Sequence, residues 1–389
     1  MRSLVCLLGL AFSFSLAPQL QAQEKKEPEL NQFDYVSPEV HEDGRVTFRF
    51  LAPKAEKVFV QCGDMELEKG QLPLTKSEKG LWEGTTGKNP SGAYRYNFNV
   101  DSGIAIDPDN TSTSQSNLRV SSVVYIPGSP LFDRRDVPHG AVSEIFYRSK
   151  VLDMDRRMTV YTPPGYPNGQ EKYPVLYLIH GNSDSDEGWI SVGRANFILD
   201  NLIADGKAKP MILVLPDGHQ GPMSPNSLKG DERHATVDRF RRELETDIRP
   251  YVEANYKVAT DPAHRALAGL SMGGAQTLHA GLLNLKDYSY LGVFSSGAIG
   301  IVGFLDRPAG NDLFTYHPEL LTNPPNSDHV KLFWFGIGKQ DFLLSTSNKT
   351  VEKLKEAGYP VEYKITEGAH RWVVWRDYLA EFAPRLFQN

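Results

Sequence analysis

The sequence predicts an α/β protein with a mainly parallel central sheet, preceded by a small all-β domain. From residue 141 onward, short apolar runs alternate with amphipathic helical stretches, the order that a parallel sheet with crossover helices requires. In residues 30–126, apolar and polar residues alternate at period two, which is typical of half-buried strands. A stretch rich in Pro and Gly separates the two patterns and indicates a domain boundary.

Residues 1–22 have the pattern of a signal peptide. A charged start is followed by the mostly apolar stretch 4–16, and Ala22 precedes a polar sequence at a suitable cleavage point. A buried N-terminal helix is the alternative, which the charged residues at 24–27 disfavour. No later stretch has the roughly 18 continuous apolar residues that span a bilayer. We therefore expect an exported protein, periplasmic or secreted, without a membrane span.

The composition excludes several classes of protein. The chain has 389 residues, 40% of them hydrophobic, and a formal net charge of -6, so it has no basic excess to hold a nucleic acid. Of the two cysteines, Cys6 lies inside the predicted signal, so Cys62 has no partner for an intramolecular disulfide. No H-E-x-x-H motif, cysteine cluster or EF-hand loop occurs, so the motifs predict neither a metal site nor a cofactor.

Residues 30–126 are predicted to form an immunoglobulin-like β-sandwich. The alternation is clearest in "VTFRF" (46–50) and "YRYNF" (94–98), where every second residue is aromatic or β-branched. Gly and Pro clusters separate the runs, and short strands at this spacing suit a sandwich of about 100 residues. Residues 127–140, "PGSPLFDRRDVPHG", have no periodicity and are predicted to be the linker.

Residues 141–389 are predicted to form the α/β domain. Its clearest helix spans 236–256, where apolar residues recur every four positions from Phe240 to Val252 beside charged neighbours. The predicted strands are 174–180, 211–217, 264–270, 290–296, 331–338 and 361–366.

One serine lies where a predicted strand meets a predicted helix. In "GLSMG" (269–273), Ser271 follows an apolar run and precedes the helical stretch 275–283. A sharp strand-to-helix turn crowds the serine's neighbours, so it needs glycine on both sides, and it raises the hydroxyl above the sheet edge. A helix N-terminus also favours the negative charge that develops in acyl transfer. Ser271 is therefore a candidate nucleophile, and a plain helix cap is the alternative.

A serine nucleophile needs a base that a third group orients. In α/β-hydrolases these partners follow in the order Ser, Asp or Glu, His, each on a loop after a strand. Asp341 follows the strand 331–338, and His370 follows the last strand and leads into the last helix. Ser271, Asp341 and His370 are thus the predicted triad. The rival acids are Glu367 and Asp312, and the rival bases are His329 and His317, which precede the strand that delivers Asp341.

An oxyanion hole requires two N–H donors aimed at one point. Met272, directly after the nucleophile, is expected to supply one. The loop after the strand 174–180 should supply the other, from Asn182 or, as the next choice, Gly181. His180 is interpreted as an orienting hydrogen-bonding residue.

Three tryptophans lie near these loops in the sequence. Trp189, Trp372 and Trp375 are candidates to line an apolar or sugar-stacking cleft, and burial in the core is the alternative. The acidic stretch "SDSDEGW" (183–189) is interpreted as a solvated loop beside the mouth of the site.

Several motifs in order resemble the exported bacterial esterases of carbohydrate esterase family one, the feruloyl and acetylxylan esterases. They are "RRMTVYTPPGY", "KYPVLYLIHGNSDSDEGW", "GRANFILDNLIADGKAKPMILVLPDGH", "ALAGLSMGGAQTL", "GIGKQDF" and "AHRWVVWRDYLAEFAPRLF". Residues 40–110, ending in "GIAIDPDN", resemble more loosely the early-set immunoglobulin-like module related to carbohydrate-binding modules. One departure is the family's Gly-Gly-His, which here reads Gly368-Ala369-His370.

The resemblance implies an α/β-hydrolase with a Ser, Asp, His triad that hydrolyses ester decorations of plant arabinoxylan. A feruloyl esterase is the principal expectation, with plant cell-wall polysaccharide or oligosaccharide esters as substrates. Acetylxylan esterase activity is the first alternative, and a non-catalytic carbohydrate-binding protein is the second. A peptidase on this fold is disfavoured, because about 100 residues of sandwich cannot form the N-terminal propeller of such enzymes.

Overall fold

A computed structural model of the chain describes residues 34–220, 230–298 and 313–388. The predicted signal peptide, residues 1–22, and the rival acid Asp312 lie outside these ranges. Within them, no helix combines the length and the apolar character that crossing a bilayer demands. Cys62 is buried as a free thiol.

The first part of the described chain is all β, as predicted. Two antiparallel sheets run in the orders β1-β2-β6-β5 and β4-β3-β7-β10-β9, and β8 pairs with β7. Phe48 and Tyr96 from opposite sheets lie with their ring centroids 4.7 Å apart in the core between them. The strands are β1 (Glu39–Val40), β2 (Val46–Leu51), β3 (Val58–Gln61), β4 (Gln71–Pro73), β5 (Thr75–Lys76), β6 (Leu81–Thr85), β7 (Gly92–Val100), β8 (Gly103–Ala105), β9 (Thr113–Gln115) and β10 (Val120–Ile126).

The second part contains the mainly parallel sheet that the sequence predicts. Its strands lie in the order β11-β12-β14-β13-β15-β16-β17-β18, where the pairs β11–β12 and β12–β14 are antiparallel and the others parallel. They are β11 (Ala141–Ser149), β12 (Met154–Thr162), β13 (Val175–Ile179), β14 (Ile212–Pro216), β15 (Arg265–Leu270), β16 (Tyr290–Phe294), β17 (Leu332–Gly338) and β18 (Val361–Thr366).

Helices cover both faces of the central strands of this sheet, which explains why β13, β14, β16 and β17 are continuously apolar. In β13, Leu176 and Leu178 pack on the side of α1, α2 and α9, while Val175, Tyr177 and Ile179 pack on the side of α3, α4, α5 and α8. The helices are α1 (Gly188–Ser191), α2 (Ala195–Ala204), α3 (Gly230–Glu243), α4 (Arg249–Asn255), α5 (Met272–Leu283), α6 (Leu313–Tyr316), α7 (Glu319–Thr322), α8 (Leu344–Glu356) and α9 (Trp372–Phe382).

The helix predicted over 236–256 is interrupted by a π-helical segment, Leu244–Ile248, between α3 and α4. Phe240, Leu244 and Val252 are nevertheless fully buried, as the apolar pattern predicts. A repeat of four residues drifts by about 40° per step around a regular α-helix, which has 3.6 residues per turn. The wider π turn reduces this drift and keeps the stripe on the sheet.

Residues 127–140 contain no helix or strand, but they are packed against the neighbouring structure. The Asp133 carboxylate accepts the N–H groups of Gly128 and Ser129, and the Asn201 amide of α2 donates to the Leu131 carbonyl at 3.0 Å. The segment is therefore a fixed connection. The exact limits of the domains stay predictions.

The sandwich packs directly against α9 through a buried arginine. The guanidinium of Arg376 donates from Nη1 to the carbonyls of Ala93 in β7 and Val192 after α1, both at 2.9 Å. A Cβ on Gly92 would lie 2.4 Å from Arg376 Nη2, so the β7 backbone comes into contact with the guanidinium. Because α9 begins two residues after His370, the sandwich supports one edge of the predicted site.

Candidate active site

The turn from β15 to α5 carries Ser271 in a backbone conformation that side chains rarely adopt. Its φ is 52° and its ψ is -114°, a strain of about 1–3 kcal/mol that the surroundings must offset. Gly269 and Gly273 make the turn possible, because a Cβ on Gly269 would lie 2.4 Å from the Gly273 carbonyl oxygen. The sequence "GLSMG" therefore forms the sharp strand-to-helix turn that it predicts.

The Ser271 hydroxyl does not cap the helix. Ser271 occupies the N-cap position of α5, yet its side chain makes no capping hydrogen bond. Its Oγ instead lies 3.0 Å from His370 Nε2. The alternative interpretation, a plain helix cap, is wrong.

His370 links the serine to a buried carboxylate. Its Nδ1 lies 2.9 Å from Asp341 Oδ2 and 3.1 Å from Oδ1. The Asp341 side chain is fully buried, while that of His370 is 17% exposed. With the Nδ1 hydrogen donated to the carboxylate, the lone pair of Nε2 faces the Ser271 hydroxyl. The structure thus brings Ser271, His370 and Asp341 into one hydrogen-bonded chain.

Two hydrogen bonds join the loops after β17 and β18, which carry Asp341 and His370. Gln340 N–H donates to the Gly368 carbonyl at 3.0 Å, and Gly368 N–H donates to the Gln340 side chain at 2.7 Å. Gly368 has a φ of 111°, so glycine is required there. Ala369 does not have a positive φ, so alanine fits in place of the family's second glycine.

The rival acid and bases within the described residues point elsewhere. Glu367 is an exposed carboxylate that pairs with Lys339 and accepts from Gln340 at 3.0 Å. His329 donates to the Leu285 carbonyl at 2.8 Å, and His317 contacts Glu319 at 3.0 Å. Of the described candidates, Asp341 and His370 are thus the ones that join Ser271.

The loop expected to complete an oxyanion hole lies beside the serine. A Cβ on Gly181 would lie 3.6 Å from Ser271 Cβ and 2.7 Å from Leu270, so only glycine fits there without a shift. Gly273 N–H donates to the His180 carbonyl at 3.1 Å, which joins this loop to the start of α5. The roles of the Met272 and Asn182 N–H groups, and of Gly181, stay predictions.

His180 fixes the same loop from inside the protein. Its ring accepts the Gly218 N–H at Nε2, 2.9 Å away, and donates from Nδ1 to the Gly181 carbonyl at 2.7 Å. Both ring nitrogens are therefore used within the protein, as an orienting residue requires.

The three tryptophans do not form an open cleft. Trp189, Trp372 and Trp375 are 1%, 3% and 6% exposed and pack edge-to-face in the core beneath the site. The expectation that they stack on substrate is wrong, because a buried ring offers no face to a sugar. Trp375 still touches the predicted triad, since its ring packs edge-on against His370 at 4.9 Å.

The acidic loop after β13 is also not solvated. Asp184 and Asp186 are 4% and 3% exposed. Asp184 pairs with Arg95 of β7 in the sandwich, and Asp186 pairs with Arg157 of β12 at 2.6 Å. These two carboxylates connect the acidic loop to β7 of the sandwich and to β12 of the large sheet. The two arginines lie far from the loop in the sequence, so a local pattern could not predict the pairs.

Two residues that the sequence did not single out touch the site. Phe342 is 55% exposed and its ring lies 4.5 Å from that of His370. Its position directly after Asp341, at the edge of the sheet, was the feature of the sequence that could have indicated it. Asp64, on the sandwich, accepts the Trp372 N–H at 3.2 Å. That N–H is the first of α9, so a side chain from the sandwich satisfies a free donor at the helix start.

Comparison with known sequences assigns the family. Residues 149–386 match the profile of the esterase family, and residues 36–115 match carbohydrate-binding module 48, described as the isoamylase N-terminal domain. The chain belongs to the esterase family, a class of carboxylic ester hydrolases. The resemblance seen in the sequence is confirmed, both for the hydrolase part and for the preceding module.

Individual relatives are consistent with this family. An endo-1,4-beta-xylanase/feruloyl esterase of Xylanibacter ruminicola is 33% identical over 369 residues, which cover 92% of this chain and 47% of the relative. This chain thus spans about half the length of that protein. An acetyl esterase of Caldicellulosiruptor saccharolyticus is 21% identical, covering 62% of this chain and 96% of the relative.

A solved structure shares the fold. A ferulic acid esterase of Anaeromyces mucronatus, in complex with ferulic acid, superposes with a TM-score of 0.57 at 24% identity. The superposition covers 67% of this chain and 96% of that one. The α/β-hydrolase fold predicted from the sequence is confirmed.

Mutation of Asp64 tests whether its contact with α9 helps to position His370. We expect Asp64→Ala to lower kcat for ester hydrolysis about fivefold, because loosening the first turn of α9 shifts the adjacent His370 loop. Asp64→Asn keeps an oxygen acceptor and should retain kcat within about twofold.

The matched control is Glu68→Ala, an exposed acid in the same part of the sandwich. Steady-state kinetics of the four proteins, with circular dichroism to verify folding, makes the comparison. Unchanged kcat in a folded Asp64→Ala variant would show that the contact does not position His370.

Proposed function

We propose that this chain is an exported serine esterase that removes feruloyl groups from plant cell-wall arabinoxylan. The observation that carries the proposal is the hydrogen-bonded chain from Ser271 Oγ through His370 to the buried Asp341, with links of 3.0 and 2.9 Å. A hydroxyl, an imidazole and a carboxylate in this order are the parts that nucleophilic acyl transfer needs.

In the proposed mechanism His370 Nε2 takes the proton from Ser271 Oγ as the oxygen attacks the ester carbonyl. The bond from serine oxygen to carbonyl carbon forms, and the carbonyl oxygen becomes an oxyanion that the N–H groups of Met272 and the 181–182 loop stabilise. Asp341 holds the tautomer of His370 and stabilises the imidazolium.

Collapse of this intermediate releases the sugar alcohol and leaves an acyl-serine. The C–O bond to the sugar breaks, and the departing oxygen takes the proton from His370. Water then attacks the acyl-serine with His370 again as base, and the free acid leaves as Ser271 regains its proton. No metal or cofactor takes part in this scheme.

An exposed aromatic ring at the site favours a hydroxycinnamoyl group over acetate. Phe342 presents more than half of its side chain to solvent directly beside His370. A ring in this position can stack on the aromatic part of a feruloyl group, whereas acetate has no ring to stack. The name of the Xylanibacter ruminicola relative, which includes feruloyl esterase, supports the same choice.

The carbohydrate part of the substrate is proposed from the sandwich. Residues 36–115 match a carbohydrate-binding module, and this module contacts both α9 and the acidic loop next to the site. A polysaccharide held there would bring its ester groups close to Ser271. Export, inferred from residues 1–22, would give the enzyme access to a polymeric substrate.

Acetyl ester hydrolysis is the second candidate. The match to the acetyl esterase of Caldicellulosiruptor saccharolyticus covers 96% of that protein, although the identity is only 21%. The non-catalytic alternative is disfavoured, because a binding protein has no need of a strained serine aligned with a histidine and a buried acid.

Ser271→Ala tests the assignment of the nucleophile. We expect kcat/KM for methyl ferulate and for an aryl acetate to fall by at least about 10³-fold, because no group remains to form the acyl intermediate. Ser143→Ala, at an exposed position of β11, is the matched control and should retain wild-type rates. If Ser271→Ala keeps most of its activity on either ester, the proposed mechanism is wrong.

Phe342→Ala tests the choice of acyl group. We expect KM for methyl ferulate to rise about three- to tenfold through loss of ring stacking, with little change for an aryl acetate whose acyl part is small. Phe146→Ala is the control, since Phe146 is 66% exposed on β11, outside the site. Equal losses on both esters would favour a general role for Phe342 and remove this support for feruloyl specificity.

A further inference from the structure

Three histidines from distant parts of the sequence meet on the helical face opposite α9. His234 lies on α3, His279 on α5 and His317 directly after α6. Each offers a ring nitrogen, and these nitrogen atoms all lie within 4.8 Å of one another. His279 is buried, and the other two are partly buried. We call His234, His279 and His317 the histidine cluster.

The spacing within the cluster suits two ligands of one tetrahedral ion. Nε2 of His234 and Nε2 of His317 face each other at 3.3 Å. Two nitrogens bound to zinc at about 2.0–2.1 Å with tetrahedral angles are about 3.3–3.4 Å apart. Without a metal, one of the two nitrogens must carry a hydrogen to bridge this gap. With a metal, both present lone pairs to it.

Neighbouring groups orient the rings in the manner common around metal sites. His317 contacts the Glu319 carboxylate through Nδ1 at 3.0 Å, which leaves its Nε2 as the ligand atom. The ring of His234 stacks on Tyr316 at 3.9 Å, so its plane is fixed. Asp238, one helical turn after His234, lies 3.4 Å from His279 Nε2. The Asp238 carboxylate is itself paired with Arg241 at 2.8 Å, so it contacts the ring of His279 and is not counted as a ligand.

We propose that the histidine cluster binds one zinc ion. Three imidazole ligands favour zinc among the abundant divalent cations, and a water molecule completes the tetrahedron. The ion would join α3, α5 and the segment after α6. These three parts lie far apart in the sequence and share no local motif. For this reason a search for metal-binding motifs in the sequence does not detect the cluster.

The proposed zinc is structural. His279 lies eight residues after Ser271 on α5, a separation of about 12 Å along the helix axis. An ion there cannot touch the ester or the hydrogen-bonded chain at Ser271. Binding to the folded state alone would raise thermal stability, and the gain would grow with the logarithm of the zinc concentration above the dissociation constant.

A second group of possible ligands, His180, Asp217 and His219, is not proposed as a site. Both nitrogens of His180 are used by Gly181 and Gly218. This group therefore has a structural role in the loop next to Ser271, and the experiment below distinguishes it from the histidine cluster.

Zinc binding can be measured on the full chain after removal of any affinity tag and treatment with a chelator. The protein is titrated with zinc against a chromophoric competitor, and bound metal is counted by mass spectrometry after gel filtration. We expect one zinc per chain, a rise in Tm on adding zinc, and a tetrahedral visible spectrum when cobalt(II) replaces zinc. Esterase activity should differ little between the zinc-bound and metal-free proteins.

Variants assign the binding to the cluster. His234→Ala and His317→Ala change partly buried residues and should fold, and each should weaken zinc binding at least about 100-fold and abolish the rise in Tm. His264→Ala, at a histidine that is 48% exposed and pairs with Asp261, should bind zinc as the wild type does. The proposal is overturned if the wild type takes up no zinc, or if both cluster variants still bind one zinc.

Discussion

The positive φ of Ser271 is the constraint on which the rest of the site depends. It turns the chain from β15 into α5 within one residue and places the hydroxyl above the sheet, where His370 Nε2 meets it at 3.0 Å. The strain is sustained by the surrounding hydrogen bonds. Ser271 N–H donates to the Phe294 carbonyl at 2.9 Å, and Gly273 N–H donates to the His180 carbonyl at 3.1 Å. The turn is therefore held from the strands on both sides, β16 and β13.

The parallel sheet explains how three distant residues meet. Ser271, Asp341 and His370 follow β15, β17 and β18, whose carboxyl ends lie at one edge of the sheet. The loops are short and tied to each other through Gln340 and Gly368, so the side chains have little freedom. The sandwich adds a further support, because Asp64 and the backbone of β7 hold α9, which continues from His370.

The sequence predicts those features that depend on local pattern. Strand runs such as 332–338 are apolar throughout because both faces are covered, and "GLSMG" specifies its turn because only glycine fits at positions 269 and 273. Chain order was enough to separate His370 from His329. It does not separate Asp341 from Glu367, since both lie between Ser271 and His370, and the structure decides because Asp341 contacts His370 while Glu367 pairs with Lys339. The π-helical segment at 244–248 could not be predicted from the sequence, since an apolar repeat of four is compatible with a regular α-helix.

Features that depend on pairs of distant residues were missed or misread. Asp184 and Asp186 look like solvent-exposed acids until Arg95 and Arg157 are placed beside them. Likewise, the burial of Trp372 depends on how α9 packs against α1 and the sheet. The histidine cluster is the same kind of feature, because its members come from two helices and the residue after a third, which only the folded chain brings together.

The central claim is that His370 and Asp341 make Ser271 uniquely reactive. Labelling with a fluorophosphonate, followed by mass spectrometry of the digested protein, tests it most directly. The account predicts a single adduct on the peptide that contains Ser271, and its loss when the wild-type chain is replaced by His370→Ala. Labelling at another residue, or equal labelling of the His370→Ala variant, would contradict it.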